Sequence, residues 1–481
     1  MKSVERTKVV ATLGPASSSR EVLGGMVEAG LDVVRLNFSH GERADHVARF
    51  ELVRTVAKEL DHNLAVLVDL QGPKIRVGVV GDDGVRLDRG EEVTLVSGTE
   101  TCAAPDVPVV YPALAADVRR GDRILLDDGA IGLRVEDVEG ERVRCQVERG
   151  GVVKSRKGVN LPGVAVSAAS LTAKDRADVA TAVELGADYV ALSFVRKPED
   201  VAEAKQAIAE HGRDIPVVAK LERPEAIDVL DDILEVADAV MVARGDLGVE
   251  LAVEQVPPIQ KHIIARANSL GVPVITATQM LESMVASPRP TRAEASDVAN
   301  AIFDGTDAVM LSQETAVGQY PVEAVATMSR IAREAEATPY LTAPPPPAVG
   351  GLDVPATVCR AAVQVAADLG ARAIVAFTES GATARYVSRF RPRTPIIGLT
   401  TSEAARRRMA LYWGVETARP VGKGTQVRSM IDDADARIVS EGLLTPGDLV
   451  VVVAGSPGGR GGTNRVLVHR VGERDLAARE G

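Results

Sequence analysis

The side chains in this sequence that are capable of chemistry gather at the ends of short apolar runs. "VVRLNFSH" carries Arg35, Asn37, Ser39 and His40, and "VLVDLQGPKIR" ends in Asp69 and leads to Lys74 and Arg76. "VVAKLE" delivers Lys220 and Glu222, and "MVARGD" delivers Arg244, Gly245 and Asp246. Thr278 follows "VITA", and Ser312 and Glu314 follow "AVML". Few of these types would be selected for packing. Several cations beside several carboxylates suit a multiply charged anion together with a metal ion.

Glu222 and Asp246 offer two hard oxygen ligands, which match Mg²⁺ or Mn²⁺ and not zinc; the alternative is that both only pair with nearby cations. "ARGDLG" opens a helix, so the amides of Gly245 and Asp246 can take a carboxylate, a role compatible with Asp246 as an ordinary helix cap. Lys220, at the end of a buried strand, is a point cation suited to charge developing on a bridging oxygen in phosphoryl transfer. It also has the form of a Schiff-base lysine, although a metal-using site needs no imine. A Walker A loop, a GxGxxG fingerprint and a Ser-His-Asp order are missing. With His40 the one histidine near these residues, a proton must come from Thr278, Ser312 or a bound water.

Eight apolar runs, from "KVVATLGP" to "DAVMLSQET", alternate with helical stretches such as "PEDVAEAKQAIAEHG". Continuous apolar strands between helices imply a parallel sheet covered on both faces, and eight such units imply a (β/α)8 TIM barrel whose strand ends converge on one mouth. Between the third and fourth strands, from Val77 to Asn160, period-two alternation with Asp-Asp-Gly and Glu-Gly turns reads as an inserted antiparallel, barrel-like β domain. "APPPPAVGG" is a stiff linker, and the alternating remainder reads as a separate open α/β domain. The expected division is 1–71 plus 163–342 for the barrel, 72–162 for the insert, 343–351 for the linker and 352–481 for the C-terminal domain.

At 481 residues the chain exceeds one core. With 46% hydrophobic and 26% charged residues it has the composition of a soluble globular protein. Aromatics at 3% leave the cores to Ala, Val, Leu and Ile. The net charge of −11 argues against a nucleic-acid surface but does not exclude an anionic ligand, which needs only local positive charge. Cys102, Cys145 and Cys359 lack CxxC spacing, so a disulfide framework or zinc ribbon is not expected. No stretch reads as a signal sequence or a membrane span, and the expected location is the cytoplasm.

"RLNFSHG", "GPKIR", "KGVNLPG", "MVARGDLGVE", "ATQMLESM", "PTRAEASDVANA" and "SQETA", in this order along nearly the whole chain, resemble the pyruvate kinase family. The resemblance implies Mg²⁺-dependent transfer of phosphate from phosphoenolpyruvate to ADP, giving pyruvate and ATP in glycolysis. It also implies a mobile lid for the inserted domain, a regulatory C-terminal domain and a homotetramer. Arg35 and Lys220 then bind the transferring phosphoryl group, and Glu222 and Asp246 hold the divalent cation. Gly245, Asp246 and Thr278 seat the substrate carboxylate, with the enolate protonated near Thr278. Arg76 and Lys157 meet nucleotide phosphates with Asn37 and His40 close by, and lid closure excludes water. Two departures, Gln313 for a usual glycine and Val317 for a usual lysine, bear on nucleotide affinity and not on reaction class.

The resemblance further places an effector loop at "FTESGATARYVSRFRPR". Thr378, Ser380, Gly381 and Thr383 become ligands of a phosphorylated effector, over which Trp413 and Arg460 close; a plain βα turn is the alternative. In many members "DLQGPK" reads Asp-Thr-Lys-Gly-Pro-Glu, and side chains matching Asn37, Ser39 and Asp69 help hold K⁺. Here the glutamate is Lys74, whose ammonium carries the charge of K⁺ on its own side chain. The expectation is an enzyme that needs no K⁺, with pairing of Lys74 to Asp69 or a lid carboxylate as the alternative. Two other functions compete: a metal-dependent lyase or aldolase acting on a 2-oxo acid, and a catalytically silent binding protein on the same fold.

Overall fold

A computed structural model describes residues 5–338, 353–418, 420–421, 427–455 and 462–473. Eight strands, β1 (Lys8–Thr12), β2 (Val33–Asn37), β3 (Ala65–Asp69), β4 (Tyr189–Leu192), β5 (Val217–Leu221), β6 (Ala239–Ala243), β7 (Val274–Ala277) and β8 (Ala308–Leu311), close into a parallel barrel. Because side chains alternate along a strand, Val9, Val34, Val66, Val190, Val217, Val240 and Val309 pack outward against helices. The alternate set, including Val10, Leu67, Tyr189, Val218, Met241 and Ile275, fills the barrel interior. The interior core does not stop at the barrel floor. It continues into Cys359, Ile374, Met409 and Leu411 of the C-terminal domain, and the Tyr189 hydroxyl donates to the Arg408 carbonyl at 2.6 Å.

Helix starts follow local chemistry. Thr172 and Thr291 each cap a helix by accepting from the amide three residues on, and Asp175 and Glu294 reach back to complete the boxes. Pro198 and Pro321 open their helices at the first position, where a proline costs no hydrogen bond.

Between β3 and β4 the chain leaves the barrel as a six-stranded sheet in the order Val159–Asn160, Arg123–Leu126, Ile131–Glu139, Arg142–Arg149, Glu92–Ser97, Val107–Val109, with a small pair of Val85–Leu87 and Gly151–Val153. The Asp-Asp-Gly turn places Asp127 and Asp128 in left-handed backbone at φ 54° and 51°, a conformation short polar side chains tolerate. One pairing departs from the antiparallel expectation. Val107–Val109 runs parallel to Glu92–Ser97, because residues 98–106 carry the chain back along the sheet before it pairs.

The C-terminal domain is a five-stranded open sheet, ordered Val415–Thr417, Ile396–Leu399, Ala373–Phe377, Leu449–Gly455, Thr463–Arg470, with only the last strand antiparallel. It is joined to the barrel floor by buried charge. Arg391 pairs with Asp307 at 3.0 Å and donates to the Gly305 carbonyl at 2.7 Å. Asp188 receives Arg54 at 2.7 Å and Arg407 at 2.8 Å. Trp413, expected over an effector, lies in this seam instead. It is 3% exposed, with Arg391 at 4.8 Å and Arg6 at 5.5 Å from its ring centroid. A ring held between two interface guanidiniums is not available to close over a ligand at the turn 378–383. No helix among the described residues is long and apolar enough to cross a membrane.

Candidate active site

The ends of β2, β3 and β5 bring Arg35, Asp69 and Lys220 into one chain of contacts. Asp69 is fully buried; its Oδ2 accepts from Arg35 Nε at 2.7 Å, and its Oδ1 lies 3.3 Å from Lys220 Nζ. Lys220 Nζ also donates to Ser193 Oγ at 2.7 Å and pairs with Glu222 Oε1 at 2.8 Å. Arg35 is held from its other side, where Nη1 donates to Thr12 Oγ1 at 3.0 Å. Burial alone would raise the Asp69 pKa, but Lys220 and Arg35 hold it below the usual carboxylate value. Burial likewise works against the Lys220 ammonium, and Asp69 and Glu222 outweigh it and raise its pKa. The two carboxylates thus favour the ammonium form of Lys220. A Schiff-base role, which needs a neutral amine, is disfavoured.

Glu222 is 1% exposed and accepts from the Phe194 amide at 2.9 Å through Oε2. Its pKa is raised by burial, with Lys220 opposing and the charge of Asp246 adding to the rise. Two carboxylates, one of them buried, crowding each other on neighbouring strand ends are the donor set a divalent cation neutralises, with waters and substrate oxygens left to complete the shell. The two residues thus fit Mg²⁺ or Mn²⁺. No cluster of three or more His, Cys, Asp or Glu side chains with ligand geometry exists among the described residues.

Asp246 and Gly245 stand in the first turn of the helix Arg244–Glu250. The Gly245 amide donates to Thr278 Oγ1 at 2.7 Å, and that hydroxyl donates to the Ala277 carbonyl at 2.6 Å. Thr278 sits at φ 68° and Gln279 at φ 55°, left-handed backbone that costs energy for both and turns the chain sharply at the mouth. Arg244, counted among the mouth cations from sequence, is committed to structure. It pairs with Asp297 at 2.7 Å and donates to the Thr278 carbonyl at 2.8 Å. Glu314 is similarly occupied, accepting from the amides of Leu281 at 3.1 Å and Ser312 at 2.7 Å.

The lid-side residues form a looser group. Arg76 Nη1 donates to the Arg156 carbonyl at 3.1 Å, and Lys157 pairs with Asp127 at 2.8 Å near the surface. The imidazole of His40 has its pKa lowered by partial desolvation and then by the charges of Arg76, Lys74 and Arg35, so these three cations lie within electrostatic range of His40. Asn37 Oδ1 accepts from the Ser39 amide at 3.1 Å. The Lys74 side chain makes no ion pair or hydrogen bond among the described residues, while its backbone amide donates to the Gly72 carbonyl at 2.8 Å; Asp69 is taken by Arg35 and Lys220.

In the C-terminal domain Thr378 Oγ1 accepts from the Gly381 amide at 2.9 Å, and Gly381 at φ 95° starts the helix Ala382–Arg389. Thr383 is buried and its hydroxyl meets that of Thr463 at 2.8 Å, whereas Ser380 is exposed. Arg460 lies outside the described residues.

Sequence reasoning passed over Thr12, which anchors Arg35, because a threonine inside an apolar strand reads as packing. It also missed Arg223 and Glu250, whose 2.8 Å ion pair is buried between the loop after β5 and the end of the helix after β6. The available signal was "LERPEA", where an arginine directly follows a ligand-type glutamate at the end of a buried strand.

Residues 4–325 match the family described as pyruvate kinase, barrel domain, and residues 356–469 match pyruvate kinase, alpha/beta domain. The chain is 47% identical over 467 residues to pyruvate kinase 2 of Synechocystis sp. (strain ATCC 27184 / PCC 6803 / Kazusa), covering 96% of this chain and 78% of that one. It is 47% identical over 476 residues to the pyruvate kinase of Mycobacterium intracellulare, covering 98% and 99%. Against the pyruvate kinase of Staphylococcus aureus (strain MRSA252) it is 46% identical over 477 residues, covering 98% and 81%.

Proposed function

The chain belongs to the pyruvate kinase family and is a phosphotransferase, and from that premise we propose that it transfers the phosphoryl group of phosphoenolpyruvate to ADP, giving pyruvate and ATP in glycolysis. The observation that carries this reading is the contact chain Arg35–Asp69–Lys220–Glu222 at the mouth of the barrel, with Asp246 alongside.

Arg35 and Lys220 grip the phosphoryl group. As its bond to the bridging oxygen breaks and a bond to the terminal oxygen of ADP forms, the electron pair stays on the bridging oxygen, and the fixed Lys220 ammonium neutralises that charge. Glu222 and Asp246 hold Mg²⁺ or Mn²⁺, which when bound supplies Lewis-acid charge to the substrate oxygens. The substrate carboxylate takes over the Gly245 amide now bonded to Thr278, beside the amide of Asp246. The enolate then gains its proton at carbon from the Thr278 side. Arg76 and Lys157 receive the nucleotide phosphates with Asn37 and His40 nearby, and the insert (72–162) closes over the barrel (1–71 plus 163–342) to exclude water. The C-terminal domain (352–481), beyond a linker at 343–351, takes a phosphorylated effector at Thr378, Ser380, Gly381 and Thr383. A cytoplasmic homotetramer completes the proposal.

A coupled assay tests the reaction: pyruvate should appear from phosphoenolpyruvate only with both ADP and Mg²⁺ or Mn²⁺. Pyruvate release independent of ADP would sink the reading in favour of a lyase or phosphatase.

We also propose that Lys74 replaces K⁺. It has no ion pair among the described residues, its charge reaches the His40 side of the mouth, and Asn37, Ser39 and Asp69 all persist. Turnover should be the same, within about twofold, in K⁺ and in tetramethylammonium, and Lys74→Glu should make turnover depend on K⁺. Strong K⁺ activation of the unaltered protein would overturn this.

A further inference from the structure

The loops that carry Glu222 and Asp246 are joined on their lid side by one buried ion pair. Arg223 immediately follows Glu222 and stands at the start of the helix Pro224–Asp228. Glu250 closes the helix Arg244–Glu250, whose first turn bears Asp246. Arg223 Nη1 donates to Glu250 Oε1 at 2.8 Å, and the two side chains are 6% and 2% exposed. The other terminal nitrogen of the same guanidinium donates to the Val164 carbonyl at 3.0 Å and to Glu225 Oε1 at 3.1 Å. Asn160 Nδ2 donates to Glu250 Oε1 at 3.3 Å. Asn160 and Val164 belong to the segment by which the chain returns from the lid to the barrel. One guanidinium thus bridges the loop after β5, the helix after β6 and the exit of the lid.

This arrangement is poorly made for stability. Arg223 Nε, Glu225 Oε2 and Glu250 Oε2 are all buried without a hydrogen-bond partner. A buried ion pair recovers its desolvation cost only when such atoms are satisfied, and apolar side chains of equal volume commonly do as well or better. What charged groups offer here, and apolar ones would not, is a fixed distance and direction between two loops. Mg²⁺ demands near-ideal octahedral geometry, so the separation of its two carboxylates is the quantity that must be fixed.

We propose that Arg223 and Glu250 are positioning residues: their pair sets the spacing of Glu222 and Asp246 for the divalent cation and ties that spacing to the seated lid exit. The proposal rests on the reading that Glu222 and Asp246 hold the cation. Arg223 and Glu250 act through the loops they join, the side chains of both being held by protein partners.

The test is Mn²⁺ binding to the full-length protein without substrates, with free Mn²⁺ counted by electron paramagnetic resonance. Arg223→Lys keeps the charge but loses the guanidinium fork that reaches three partners. Glu250→Gln keeps the shape and loses the charge. Groups that orient metal ligands commonly shift affinity by 10–100-fold, so each variant should raise the Mn²⁺ Kd at least about tenfold. A folded variant with a lowered melting temperature and a Mn²⁺ Kd within about twofold of the unaltered protein reduces the pair to a structural contact and overturns the proposal. If Arg223→Lys does not fold, Glu250→Gln decides by the same measurement. Glu222→Gln is the control: should it bind Mn²⁺ as the unaltered protein does, the metal reading itself fails and the clamp with it, an outcome distinct from failure of the clamp alone.

Discussion

Asp69 keeps two cations from different strands at a fixed separation and supplies their common counter-charge. With Asn in its place Arg35 and Lys220 keep Thr12, Ser193 and Glu222 as partners but lose the carboxylate between them. The hydrogen bond from Arg35 is to a charged group and contributes about 1.5–3 kcal/mol, so kcat/KM of Asp69→Asn should fall about ten- to a hundredfold. The same change should show in stability. The Asp69 carboxyl is depressed below its ordinary value of 3.8, so its stabilising contribution is complete above that pH and is lost as the pH falls through the lower folded-state value. Urea midpoints of Asp69→Asn and of the unaltered protein should therefore differ most at neutral pH and converge below about pH 3.8. A gap that stays constant into acid would show that the lost contact is not electrostatic.

At the scale of elements, the barrel was legible because each of its strands is a short apolar run, and a polar or Gly-rich break follows each run. "VPVITATQM" contains Val274–Ala277, and "IPVVAKLE" contains Val217–Leu221. Strand Val415–Thr417 was not legible, since three residues set no period. The parallel Val107–Val109 was equally hidden, because strand direction depends on where a loop returns. Contacts between strands were the deeper gap. Arg35 and Asp69 lie 34 residues apart, and only barrel closure makes them partners. Trp413 was misplaced for the same reason, since its ring lies beside Arg6 of the N-terminal segment and beside Arg391, which pairs with Asp307 of the barrel floor. That seam carries its own prediction. Asp307 is buried, which raises its pKa, and Arg391 opposes the rise. Removing one member of a buried pair strands the other, at a cost of about 3–5 kcal/mol. Arg391→Met should lower the urea unfolding midpoint accordingly, whereas Arg391→Met with Asp307→Asn should recover part of the loss. Equal midpoints for the single variant and the unaltered protein would show that the seam is not held by this pair.

At the scale of the whole molecule, the C-terminal sheet ends, among the described residues, on a long edge strand. Its last strand, Thr463–Arg470, pairs only with Leu449–Gly455 among the described residues. Its Val466, Leu467 and Val468 are 37%, 45% and 45% exposed. The helix Val354–Asp368 packs beside it and exposes Val354 at 66%. An unpaired edge with apolar side chains invites another strand, and natural proteins usually blunt such edges unless they use them. A second copy meeting this edge about a twofold axis would continue the sheet across both molecules. A tetramer of dihedral symmetry needs two kinds of twofold contact, and this edge would supply one of them in the proposed tetramer. Leu467→Glu should therefore convert the proposed tetramer to dimers, read as a halved mass by light scattering at unchanged concentration. The melting temperature of the barrel should shift little, because Leu467 lies outside the four buried core clusters. A tetrameric mass retained by the folded variant would place the self-association surface elsewhere on the molecule.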